Sequence, residues 1–118
     1  MGTHAMLGLK MPDDSIVGCY VHYDGATMSA RINRYLSKYT TTNLAMLILT
    51  AQGHGGIRSF HTPDWRTEDP KDSSTEMLDD PDGPLVIDNT NWDEWHYGAS
   101  YKYLINYETG KISKRSRQ

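Results

Sequence analysis

One cysteine, Cys19, stands alone among 118 residues. An intramolecular disulfide is therefore excluded, and a reducing, cytoplasmic setting fits best. No apolar run approaches the ~20 residues that a bilayer-spanning helix needs. The opening Met1-Gly2-Thr3-His4-Ala5-Met6 lacks the charged-then-apolar layout of a secretory signal. It reads as an appended remnant, with Met6 or Met11 as the native start. Phenylalanine is nearly absent, with one Phe against eight Tyr and three Trp. Many rings should then sit at the core margin, where an apolar body meets a polar tip. No pair of histidines has a zinc-type spacing, and no phosphate-loop, helix-turn-helix or RNA-binding signature is present. Internal repeats are lacking too; the length suits one domain with little stability to spare.

What is present in quantity is charge, unevenly placed. The net charge of −3 conceals residues 64–94, where eleven acidic side chains meet only Arg66 and Lys71, a local balance of −9. Ten basic and four acidic residues elsewhere give +6. Clustered carboxylates steer a basic partner toward them, and tryptophan is the commonest interface anchor. Trp65, Asp79, Asp80, Asp82, Trp92, Asp93, Glu94 and Trp95 thus form the candidate contact set for a basic protein surface. The bland alternative is a solvated loop that aids solubility. Nucleic acid is a poor partner for a negative chain.

Patterning then gives the elements. Residues 1–15 show no period and contain Pro12-Asp13-Asp14-Ser15, the mark of a flexible lead-in. Ile16 to Tyr23 alternates, with Val17, Cys19, Val21 and Tyr23 on one face and Ile16, Gly18, Tyr20 and His22 on the other. Asp24-Gly25 turns the chain, and Thr27 is a candidate helix N-cap. Met28, Ile32, Tyr35, Leu36 and Tyr39 make a helical stripe. Thr42 would cap a second helix, apolar all round over residues 44–49 and hence buried, with Gly53 as its left-handed stop. A short strand over 57–61 precedes an acidic, proline-rich loop over 62–84. A strand over 85–87, an aromatic cluster at Trp92, Trp95, His96 and Tyr97, and a hairpin through Glu108-Thr109-Gly110 follow. The expected fold is α+β: a small antiparallel sheet of four or five short strands, with two helices from residues 27–52 on one face. The domain spans 16–113, and 114–118 is a basic tail. An exposed strand edge and surface tyrosines leave room for a homodimer.

Chemistry-bearing groups are sparse. Cys19 points to the core side of its strand and His22 to the other, so a Cys–His nucleophile is rejected and Cys19 is an inert buried thiol. His22, Asp24, His54 and His61 would make a metal site for a hydrolase or nuclease if they converged. Structural or solvated histidines are the plainer reading. Tyr20, His22, Arg31 and Arg34 would line a small-molecule site, tyrosine stacking on a base and arginine holding phosphate. No cofactor is called for, and no catalytic constellation is assembled.

Two stretches have a familiar cast: Cys19-Tyr20-Val21-His22-Tyr23-Asp24-Gly25 and Arg34-Tyr35-Leu36-Ser37-Lys38-Tyr39. With the closing Tyr101-Lys102-Tyr103-Leu104-Ile105-Asn106-Tyr107 hairpin, the chain resembles a group of small, mostly uncharacterised bacteriophage and prophage proteins. These share a Tyr-x-His-Tyr/Trp-Asp-Gly strand and turn, a helix, and a tyrosine-rich C-terminal hairpin. The chain departs from them at Ala26-Thr27, where they carry Tyr-Pro, and in its acidic middle. The resemblance implies a phage accessory product in a bacterial cytoplasm and no reaction. Joined to the charge pattern, it predicts a non-enzymatic protein that binds and inhibits a host or defence component. A sponge for a nucleotide-like molecule is the alternative.

Overall fold

The computed structural model describes residues 3–23, 25–60, 76–79 and 85–117. Among the described residues, seven strands form one sheet: β1 (Ala5–Lys10), β2 (Ile16–Val21), β3 (Ile57–Ser59), β4 (Glu76–Met77), β5 (Ile87–Asp88), β6 (Tyr101–Asn106) and β7 (Ile112–Ser116). Two helices, α1 (Met28–Leu36) and α2 (Thr41–Gly53), lie between β2 and β3. Strand order is β4-β3-β2-β1-β6-β7, and β5 also pairs with β2. The α+β class and the two-helix layer are as expected.

The sheet is mixed, not antiparallel, and the reason is β1. Residues 5–10, expected to belong to a flexible lead-in, are the strand between β2 and β6. β1 pairs antiparallel with β2, Ala5 opposite Val21 through Lys10 opposite Ile16. It pairs parallel with β6, Ala5 opposite Tyr101 through Lys10 opposite Asn106. Ala5, Met6, Leu7 and Leu9 are fully buried. A strand covered on both faces carries an unbroken apolar run, so alternation never appears. The outer edge of β2 is shared: β3 runs parallel at Val21, and β5 antiparallel at Val17 and Gly18. The basic end is likewise drawn in, since β7 pairs with β6 as far as Ser116.

Alternation in β1, β2 and β6 sends side chains to two layers. Ala5, Leu7, Leu9, Cys19, Val21, Tyr103 and Ile105 face the helices, where Met28, Ile32, Leu44, Ile48 and Ala51 meet them with Ile57 and Phe60. The opposite face is covered more thinly, by Ile87, Trp92 and Ala99 over Met6. Gly8 makes room there, because a Cβ at that position would lie 2.7 Å from the Trp92 ring.

The helix ends differ from expectation in informative ways. Thr27 makes no cap; its hydroxyl oxygen instead accepts from Arg31 Nε. The cap of α2 is Thr40, two residues before the expected Thr42, and it is closed reciprocally with Asn43. α2 is not buried all round: Leu44, Ile48 and Ala51 face in, while Met46 and Leu49 are exposed. Its left-handed stop falls at Gly55 rather than Gly53. Gln52 fixes the far end by donating to the carbonyls of Gly18 and Ile87. Among the described residues, no helix is long and apolar enough to cross a membrane.

Candidate functional site

On the face away from the helices, the end of β2 borders a cavity. Tyr20 and His22 project there because they share parity on β2, as the alternation of residues 16–23 predicts. His4, just before β1, joins them: Met6 lies opposite Tyr20, so the residue two places earlier reaches the level of His22. Two main-chain contacts fix this corner. Gly25 N donates to Thr3 O at 2.8 Å, and the Tyr103 hydroxyl donates to Gly25 O. A Cβ on Gly25 would sit 2.4 Å from Thr3 O, so the turn after His22 requires glycine. The opening residues are thus woven into the site.

Three side chains form one hydrogen-bonded group. Tyr20 Oη is 2.9 Å from His4 Nδ1 and 2.9 Å from His22 Nδ1. His4 Nδ1 is also 2.7 Å from the His22 carbonyl oxygen. The imidazoles stack at 4.7 Å between centroids. Tyr23 closes edge-on to His22 at 4.6 Å.

These contacts suit one arrangement of the protons. A carbonyl oxygen only accepts, so His4 Nδ1 carries a hydrogen. Tyr20 Oη therefore accepts from His4 and has its own hydrogen to give. With His22 bare at Nδ1, that hydrogen is donated to it across 2.9 Å. Neutral His4 then has its lone pair on Nε2, whereas neutral His22 has its N–H there. One acceptor and one donor are set side by side by a single phenol. Burial and the adjacent Tyr97 push the Tyr20 hydroxyl up to about 12, so it stays protonated.

The group lines a cavity of about 430 Å³ with Gly55, Leu78, Asp79 and Tyr97, a volume in the range of small-molecule pockets. Tyr97 stands at the lip, exposed, its ring 5.0 Å from that of Tyr20. Its backbone is left-handed, with φ 53°. A non-glycine residue held there costs of order 1 kcal/mol, a kind of strain that concentrates at ligand sites. Gly56, with φ 131°, lets the α2–β3 turn approach, since a Cβ would lie 2.5 Å from Tyr20 O. Arg58, exposed on β3, brings positive charge near His22.

His22 is held below its ordinary value of 6.5, first by burial, then by the charges of His4 and Arg58. The folded state therefore prefers neutral His22. Its contribution is complete above the unfolded value and is lost as pH falls through the lower folded one. The melting temperature should drop on acidification from about pH 7.5 to about pH 5, and His22→Asn, which keeps an acceptor for Tyr20, should show a shallower drop. Equal slopes for the two proteins would contradict this.

No protein-family model, curated protein or solved structure matches this chain. The site must be judged by its own chemistry.

The other sequence-derived candidates fall as follows. Arg31 and Arg34 belong to α1 in the helical layer, with Arg31 donating to Thr27 and Phe60 O, so they do not join Tyr20 and His22. The ligand quartet is corrected accordingly, with His4, Asp79 and Tyr97 in place of the arginines. His54 is the exposed C-cap of α2 and is not among the residues lining the cavity. Asp24 and His61 lie outside the described residues, among which no group of three metal-binding side chains occurs. Cys19 is buried in the helix-side core, which pushes its thiol up.

Of the contact set, Trp65, Asp80 and Asp82 lie outside the described residues. Asp79, Asp93 and Glu94 are exposed. Asp93 faces Arg115 at 3.9 Å, and Glu94 lies 3.7 Å from His96 Nε2. Trp92 is only 7 % exposed and belongs to the core, so it offers no ring to a partner. Its carbonyl instead accepts from the buried Lys102 amine, which lies 4.5 Å from the Trp95 ring centroid. Trp92 and the half-buried Trp95 together house this lysine. Burial, then Arg115, lowers the Lys102 amine below its usual range.

His4 and Tyr97 were the residues sequence reasoning missed. His4 carries no local signal, and nothing in a sequence marks a left-handed tyrosine.

Proposed function

We propose that this is a small-molecule-binding protein whose ligand is a planar, nucleotide-like heterocycle held between His4, His22 and Tyr97. The observation that carries this reading is the Tyr20 hydroxyl, which ties up both Nδ1 atoms and leaves both Nε2 edges without a described protein partner. A hydrogen-bonding edge would meet an acceptor and a donor there, and a ring would stack against Tyr97. Arg58 supplies a cation for an attached phosphate. A phage accessory role, sequestering a nucleotide-like molecule in a bacterial cytoplasm, is the setting the motif resemblance suggests.

The test is a melting-temperature series with nucleoside monophosphates and cyclic nucleotides. A ligand that binds only the folded state raises the midpoint as concentration passes its Kd. We expect a rise with at least one purine nucleotide, absent in His22→Asn. No rise with any of them at millimolar concentration would overturn the reading.

Capture of a basic host or defence protein is the second reading. Its support is the exposure of Asp79, Asp93 and Glu94 on a segment of net negative charge. Trp92 is buried and cannot serve as its apolar anchor.

A further inference from the structure

Independently of any ligand at the end of β2, we propose that the outer edge of β7 takes up an acidic segment of a partner protein as an added strand. Among the described residues, β7 has one neighbouring strand, β6. Two bonds show which way its main chain faces. Asn106 N donates to Lys111 O at 2.9 Å, and Arg117 N donates to Ser100 O at 2.8 Å. In an antiparallel pair every second residue bonds its neighbour, and the residues between turn their main chain the other way. With Tyr101 opposite Ser116 through Ile105 opposite Ile112, residues 111, 113, 115 and 117 turn toward β6. The N–H and C=O groups of Ile112, Lys114 and Ser116 therefore point outward, a template for one more strand.

Side chains decide which strand fits. Residues 111–117 read Lys-Ile-Ser-Lys-Arg-Ser-Arg, with four cations and no acid. All four cations are exposed. Lys111 and Arg115 share the parity of Lys102 and so lie on the face away from the helices. Lys114 lies on the helix side, its amine 4.6 Å from the Tyr101 ring centroid. Lys111 and Ser113 also border a hollow of about 400 Å³ with Lys10, Leu104, Asn106 and Thr109, so two amines and no carboxylate line it. Arg115 faces Asp93 at 3.9 Å and Lys10 faces Asp14 at 3.7 Å, but these acids are 95 % and 86 % exposed. Water screens such pairs, and the edge keeps its positive character.

A second copy of β7 is the wrong occupant. Pairing the strand antiparallel with itself about Lys114 sets Lys114 beside Lys114 and Lys111 beside Arg117, and like charges directly opposite destabilise a sheet. An acidic strand reverses each of those contacts. Carboxylates at alternate positions come alongside Lys111 and Arg115 on one face, while the main chain bonds Ile112, Lys114 and Ser116.

An NMR titration of the whole chain with a short synthetic peptide alternating Glu and Thr tests this. Exchange of the Ile112, Lys114 and Ser116 amides should slow as the peptide saturates, and a peptide alternating Lys and Thr should leave them unchanged. The acidic peptide N-methylated at alternate residues keeps its charge but loses its donors, and should bind about tenfold more weakly or worse. Lys111→Glu with Arg115→Glu changes two exposed side chains and should cost about tenfold in affinity at an unaltered melting temperature. Equal binding of the N-methylated peptide, or shifts without slowed amide exchange, would overturn strand addition. Tighter binding of oligothymidylate than of the acidic peptide would make this a nucleic-acid surface instead. A dimer whose own association protects the same three amides would give the edge to a second copy. No binding of the acidic peptide at low salt would also overturn the proposal.

Discussion

Removal of residues 1–10 should abolish cooperative folding. β1 is flanked on both sides, by β2 and β6, and it carries four fully buried apolar residues in Ala5, Met6, Leu7 and Leu9. Full burial of each large side chain is worth roughly 1.5–3 kcal/mol. A domain of this size has a total stability of about 5–15 kcal/mol. Loss of three such side chains, together with two unpaired strand edges, removes most of that margin. Circular dichroism and thermal melting of the shortened chain should show no sigmoidal transition. A finer probe is Leu7→Ala, expected to cost about 2–5 kcal/mol through the cavity left between sheet and helices. A shortened chain that melts like the whole one would contradict the topology.

Tyr20→Phe should do the reverse, sparing the fold and disabling the site. The ring keeps its packing, and loss of one hydroxyl costs about 1 kcal/mol. Both imidazoles, however, lose their common anchor. His4 retains its bond to the His22 carbonyl, whereas His22 Nδ1 has no remaining partner among the described residues. His22 would then sample both tautomers and turn freely, so the donor facing the cavity is no longer fixed. We expect ligand affinity to fall about tenfold or more, since placement of polar groups rather than their mere presence confers affinity. Unchanged ligand-induced stabilisation in Tyr20→Phe would show that the triad is only structural.

Much of this site was open to reading in one stretch of sequence. Alternation across residues 16–23 separates Cys19 from Tyr20 and His22, and the structure puts the thiol in the core and the two polar rings in the cavity. Gly25, just past the alternating stretch, anchors the N-terminal segment beside His22. The helical stripe of Met28 and Ile32 is equally plain. What escaped has a common cause, which is dependence on partners distant in the chain. Ala5 to Leu9 lacks both alternation and β-branched residues, so only its two neighbours reveal it as a central strand. His4 acquires meaning through pairing with β2. Trp92 looked like an exposed anchor beside acids, but Gly8, more than eighty residues away, opens the slot that takes it inside. A parallel β1–β6 pair has no local signature, so an antiparallel sheet is what the short strands alone suggest.

The account stands on the proton arrangement set by Tyr20, and nitrogen-15 NMR of the imidazole rings reads it directly. Two-bond proton–nitrogen correlations near neutral pH, assigned through His4→Gln and His22→Asn, should find His4 protonated at Nδ1 and His22 protonated at Nε2, with Tyr20→Phe erasing the difference for His22. The same tautomer at both histidines, or an unpinned mixture in the wild-type protein, would contradict it.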